Sequence, residues 1–162
     1  ARDSLPWDAV ELGAWTRVLG VIVPAVNPRE IDGLSDLIDG DASCVNRTTD
    51  AGLRSTHESA IDELASERDV DRHELTESIA GFDLAVRAHE SPARKVLAGT
   101  ADAGLGLEAT AEALGMDFVP CGTERVTVVA DPDRAKKPGV EAVAEAIDDG
   151  ASVFESLAGY ER

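Results

Sequence analysis

Lysine is scarce in this sequence: only Lys95, Lys136 and Lys137 occur among 15 basic residues, against 32 aspartates and glutamates and a net charge of −17. Such a charge repels the phosphates of nucleic acids and the head groups of anionic lipids, so neither is expected as a partner. The acidic residues are spread along the chain and not gathered in a tail. That pattern reads as the hydrated surface of a protein from the salty cytoplasm of a halophile, with an acidic docking surface as the alternative. Long apolar runs are missing as well. "VLGVIV" falls far short of the roughly 18 residues a membrane helix needs, so no membrane partner is expected. Aromatic residues make up 4% of a chain that is 43% hydrophobic, which predicts thin, alanine-rich helical layers around a modest sheet. There are two cysteines, Cys44 and Cys121, with no CxxC pair and no histidine at metal-ligand spacing. They are expected to be buried thiols, not zinc ligands or a disulfide. No basic-then-apolar leader opens the chain, so a cytoplasmic protein is expected. Because the first residue is Ala1, the chain is expected to be processed or part of a longer polypeptide.

What is present is an alternation of periods. "RVLGVIV", Arg17 to Val23, closed by Pro24, reads as a buried strand. "NPREIDGLSDLIDG" has the grammar of an amphipathic helix, with Asn27 as cap, Pro28 in the first turn and Gly40 as stop. "ASCVN" is a short strand, and the segment after it enters a helix with Leu53, Ala60, Ile61 and Leu64 on one face. Asp71 caps a second short helix, and a strand follows near "IAGFDLAV". Pro92 sets the start of the next helix near Glu90 or Ser91. "TADAGLG" is a strand and "LEATAEALGM" a helix ended by Gly115; "DFVP" and "RVTVVA" are two strands, and two helices close the chain. Trp7 and Trp15 are expected to pack onto the body. The alternation predicts a single α/β domain over residues 1–162, three layers deep, with a mostly parallel sheet flanked by helices.

Catalytic grammar is missing: there is no G-x-S-x-G elbow, Walker loop, G-x-G-x-x-G or H-E-x-x-H. No enzyme activity is expected of this domain and no cofactor beyond a bound ligand. His57 and His73 lie in acidic helical contexts and read as solvated or locally paired. The stretch "CVNRTTDAGLRST" is the better candidate. A helix N-terminus presents unpaired N–H groups and about half a positive charge, which suits an oxyanion. Asn46, Arg47, Thr48, Thr49 and Arg54 add donors, and Gly52 lets the backbone come close. An ordinary βα connection whose polar residues cap the helix is the competing reading.

The order "RVLGVIVPAVNPREIDGLSDL", "VNRTTDAGLR", "GFDLAVRAHESPARKVLAGTADAGLGLEATAEALGMDFVPCGTERVTVVAD" and "LAGYER" resembles the periplasmic-binding-protein-like domain found fused to molybdopterin biosynthesis proteins of the MoeA type. That resemblance implies a type II binding-protein lobe and a small oxyanion ligand, molybdate or tungstate, bound in molybdenum-cofactor biosynthesis or its regulation. It implies ligand contacts from Asn46, Arg47, Thr48, Thr49, Asp50, Gly52, Arg54 and His89. It also implies a missing first lobe, with an upstream lobe or a homodimer partner and, on the full-length polypeptide, a neighbouring biosynthetic enzyme. The family loop reads N-R-x-x-G-S-G-T-R. Here Asp50 stands for its first glycine, Ala51 for the serine and Leu53 for the threonine, and Ala88 replaces the threonine before His89. Two readings follow from these departures. Either the loop binds an oxyanion, or Asp50 takes up the helix donors and the domain is a non-binding interaction or dimerisation module of the same fold.

Overall fold

The computed structural model describes residues 8–49 and 51–161. Asp50 and Trp7 lie outside that range, so the expectations placed on them have no structural counterpart here. The strands are β1 (Val10–Val23), β2 (Cys44–Arg47), β3 (Ala85–Val86), β4 (Ala103–Leu107), β5 (Asp117–Ala130) and β6 (Tyr160–Glu161). The helices are α1 (Leu34–Asp39), α2 (Gly52–Arg68), α3 (Arg72–Ser78), α4 (Ser91–Leu97), α5 (Glu108–Ala113), α6 (Pro138–Asp149) and α7 (Ala151–Glu155). The contacts divide the chain into two compact units, Val18–Glu124 on one side and Ala1–Arg17 with Arg125–Arg162 on the other.

The larger unit is a three-layer sandwich. Its strand order is β3-β2-β4-β1-β5. β2 runs parallel to both β3 and β4, while β1 runs antiparallel to β4. Successive strand residues point to opposite faces, and the core divides accordingly. Leu19, Val21, Val23, Cys44 and Leu105 turn to one face and meet Leu37 of α1, Leu53 and Ile61 of α2, and Leu75 of α3. Ile22 and Val45 turn to the other and meet Ala93 and Val96 of α4 and Ala111 of α5. The sheet is therefore mixed, flanked by helices on both faces.

Three elements differ from the sequence pattern. The helix predicted from Asn27 begins only at Leu34. Val26, Asn27 and Glu30 have φ of 64°, 40° and 52°, values no helix contains. Asn27 closes a turn instead, with Oδ1 accepting from the Ile31 N–H and Nδ2 donating to the Ile31 carbonyl. The two strands predicted around Cys121 are one, β5, which runs through Pro120 and Gly122. β5 ends the strand order of this unit, the place where a proline's missing N–H is tolerated. The strand near "IAGFDLAV" shrinks to two residues, because Gly81 (φ 81°) and the Leu84 N–H bond to the Gly81 carbonyl make a turn of its first half.

The smaller unit pairs β6 with the opening half of β1, Thr16 opposite Glu161 and Arg17 opposite Tyr160. Trp15 stacks on Phe154 of α7 at 4.5 Å between ring centroids, and Phe154 on Tyr160 at 6.5 Å. Arg125 donates to Glu11 at 3.0 Å. None of its described residues is buried.

Candidate functional site

The three parallel strands of the larger unit end together. Arg47 is opposite Val86, and Cys44 opposite Ala103, so the chain leaves β2, β3 and β4 at one edge of the sheet. A helix begins within a few residues of each strand: α2 at Gly52, α4 at Ser91 and α5 at Glu108. α2 packs on one face and α5 on the other. The crevice outside the carboxyl ends of β2 and β4 is therefore a topological switch point, where open α/β sheets hold ligands. The loop after β2 and the loop carrying His89 both open onto this edge, and His89 is exposed there.

The predicted loop residues separate into distinct roles. Asn46 is buried and serves the fold: Nδ2 donates to the Phe82 carbonyl at 3.2 Å and Oδ1 accepts from the Arg47 N–H at 2.9 Å. Arg47 is buried at the end of the strand. Thr48 is half-buried and its carbonyl accepts the Ala51 N–H at 3.0 Å; Thr49 is exposed. Ala51, not an aspartate, holds the cap position of α2 and has no side-chain oxygen to offer.

Arg54 is buried and largely engaged within the protein. Its Nε donates to Glu58 at 2.7 Å and one terminal nitrogen to the Arg47 carbonyl at 3.3 Å, with the guanidinium 4.5 Å above the centre of the Phe82 ring. Burial alone would raise the Glu58 carboxyl, but Arg54 and Arg72, the latter 3.3 Å away, hold it below the usual range. Gly52 opens α2 beside a carboxylate: a Cβ at residue 52 would lie 2.6 Å from Glu124 Oε1. A negative group of β5 thus already stands beside the helix N-terminus, where the partial positive charge is largest.

His57 departs from the solvated or paired reading. It is 4% exposed, and neither ring nitrogen has a hydrogen-bond partner among the described residues. Burial pushes its pKa down to about 4, Arg54 adding to the shift and Glu58 opposing it, so the ring is neutral at pH 7. Its position follows from spacing, since Leu53, His57, Ile61 and Ala65 form one helical stripe, all buried. The i, i+4 spacing was a signal for that stripe, but the face expected from the sequence was Leu53, Ala60, Ile61 and Leu64, of which Ala60 and Leu64 are only half-buried. Glu124, 72 residues from Gly52 along the chain, carried no such signal. His73 behaves as expected, exposed and 3.3 Å from Glu77. Both cysteines are free thiols, Cys44 buried and Cys121 half-buried. Among the described residues, no three or more His, Cys, Asp or Glu side chains converge as a metal site, and no helix is long and apolar enough to cross a membrane.

Known proteins share this fold. The chain matches the model of the PBP superfamily domain over residues 1–148. It is 30% identical over 113 residues to the uncharacterized protein YvgK of Bacillus subtilis, an alignment covering 70% of this chain and 34% of YvgK. Among solved structures it resembles Peb3 of Campylobacter jejuni, with 15% identity and a TM-score of 0.63 over 91% of this chain and 66% of Peb3. Peb3 has also been solved with L-phospholactate bound. A further neighbour is the substrate binding domain assigned to a molybdenum ABC transporter of Clostridium difficile, with 15% identity, a TM-score of 0.56, and coverage of 95% of this chain and 66% of that one. At these identities the structures report the fold alone. The chain spans about a third of YvgK and about two-thirds of the solved structures.

Proposed function

Because this chain belongs to the PBP superfamily, we propose that it is a ligand-binding domain whose cleft wall is the carboxyl edge of β2 and β4, and that its ligand is a small oxyanion of the molybdate or tungstate class. The observation that carries this reading is the 17-residue helix α2, which starts at that edge five residues after the buried Arg47 and has no side-chain cap at Ala51. Amides at a long helix N-terminus beside an arginine hold an oxyanion by hydrogen bonds and the helix dipole together. Two structural neighbours, the substrate binding domain assigned to a molybdenum ABC transporter and Peb3 solved with L-phospholactate, support an anionic ligand. Thr48, Thr49, the Gly52 amide and His89 would complete the contacts, and Arg54 would brace the loop through Glu58 and Phe82.

In this reading the domain serves molybdenum-cofactor biosynthesis or its regulation in the cytoplasm, with any catalytic step on a neighbouring domain. A further stretch of polypeptide would supply the opposite wall, as expected for a chain spanning about two-thirds of its structural neighbours. The net charge of −17 is no obstacle at high salt, where the Debye length is only about 3 Å at about 1 M. Calorimetry with sodium molybdate and tungstate in molar potassium chloride tests it. One-to-one binding weakened by Arg47→Met is the expected result; no heat from this chain, or from the chain extended by its natural flanking sequence, rejects it.

A second reading has its own support. Glu124 stands beside the α2 N-terminus and Arg54 is engaged by Glu58, as in a domain that keeps the fold as an interaction surface and fills its own anion site. Glu124→Gln and Asp50→Gly separate the two. Oxyanion binding that appears only in these variants favours the self-filled site, whereas a parent chain that already binds rejects it.

A further inference from the structure

His57 has no counterpart in the cleft chemistry above, and its surroundings give it another use. Its side chain lines a cavity of about 10 Å³ with Cys121, Thr56 and the apolar side chains of Leu19, Leu53 and Leu105. Both imidazole nitrogens are buried without a partner among the described residues, a cost that calls for an explanation in a buried polar group. The space is about that of one water molecule or one small ion. The Thr56 hydroxyl donates to the Gly52 carbonyl at 3.3 Å, and the Cys121 Sγ is 3.6 Å from the Val119 carbonyl and also takes a hydrogen bond from the Val21 N–H. His57 and Cys121 thus line the same cavity, whose remaining wall is largely apolar.

We propose that His57 and Cys121 form a binding site for a single soft monovalent metal ion, copper(I). Thiolate sulfur and imidazole nitrogen are ligands that copper(I) accepts, and it is stable with two of them. Zinc requires about four, and no third His, Cys, Asp or Glu converges here among the described residues. Charge leads to the same ion. Copper(I) on one thiolate is neutral overall and tolerable in an apolar pocket, whereas a divalent ion would leave an unpaired buried charge. The step is an exchange with no change of oxidation state: the Cys121 S–H bond breaks, a sulfur–copper bond forms, and one proton leaves to solvent. His57 is neutral at pH 7 and contributes a nitrogen lone pair without losing a proton. Burial pushes the Cys121 thiol up to about 11, so the proton must be displaced by the metal.

The test is a competition titration of the reduced protein, free of oxygen, against a copper(I) chelator. One equivalent should be retained, with a thiolate-to-copper absorption in the ultraviolet. Apparent affinity should rise about tenfold per pH unit from pH 6 to 9, as release of one thiol proton requires. Cys121→Ser and His57→Leu should each weaken binding at least tenfold, and Cys44→Ser should leave it unchanged. In the unaltered protein, copper(I) should protect Cys121 from alkylation as read by mass spectrometry, a result that needs no variant to fold. Loss of all copper to the chelator, an affinity indifferent to pH, undiminished binding by Cys121→Ser, or protection of Cys44 alone would each overturn the site.

Discussion

The two units of this chain are built from the same kinds of element and differ in what those elements enclose. Among the described residues, every buried hydrophobic one lies between Leu19 and Val119, inside the larger unit, where helices cover both faces of the sheet. The smaller unit has its own strand pairing, helices α6 and α7 and a stack of Trp15, Phe154 and Tyr160, yet none of its described residues is more than half-buried. Val143 on α6 and Val153 on α7 are 48% and 61% exposed. Secondary structure alone does not make a core. A sheet must be covered before its apolar residues contribute, because stabilisation follows the area withdrawn from water.

The sharpest break of that comparison is a truncation in each unit. Ile61→Ala removes a fully buried side chain from the α2 stripe, and urea unfolding followed by circular dichroism should show a loss of about 3–4 kcal/mol. An equally small loss as from a surface site would mean that the larger unit has no tight core.

Acid comes next. His57 has a folded pKa of about 4 against 6.5 in the unfolded chain. The unfolded state therefore takes up its proton first as pH falls. Stability is full above about pH 6.5, declines between 6.5 and 4, and is lower by about 3 kcal/mol below that window. His57→Leu should flatten the decline, and a parent-like slope in that variant would assign it to other groups.

A smaller effect is expected at Asp102, which ties the start of β4 to the start of β2. Its carboxylate accepts the Ser43 N–H at 2.9 Å, the Ser43 hydroxyl at 2.8 Å and Arg29 Nε at 3.2 Å. The Ser43 N–H, ahead of the hydroxyl and Arg29, holds its pKa below the usual value against burial. This contribution is present above the unfolded pKa and is lost as pH falls through the lower folded one. Asp102→Ala should cost about 2 kcal/mol in thermal unfolding at pH 7, through the bonds lost and the Ser43 N–H left unpaired. The smallest effect belongs to the smaller unit. Val143→Ser should change stability by less than about 0.5 kcal/mol, and a loss above about 1 kcal/mol would show that α6 is covered in solution by another surface.

Much of the larger unit was legible in local patterns. The apolar run ending in Val23, the β2–α2 connection, the Asp71 cap, whose carboxylate accepts the His73 N–H at 2.7 Å, and the helix starting at Ser91 behind Glu90 all follow from periodicity and cap chemistry. The helix expected at Asn27 failed because its side chain and backbone were used for a turn, an alternative that Asn and Pro favour as much as a helix start. The placement of the candidate loop at a helix N-terminus was legible too. The engagement of its arginines and the carboxylate beside Gly52 were not.

By itself, the sequence determined the fold class, that α2 turns Leu53 and Ile61 to its buried face, and the position of the β2–α2 loop, because these depend on residues a few places apart. Tertiary structure alone decided that Arg54 is held by Glu58 and Phe82, that His57 shares a cavity with Cys121, and that Glu124 reaches the start of α2. These outcomes depend on which strands lie side by side, and pairing between distant segments leaves no period in the chain for a local pattern to reveal.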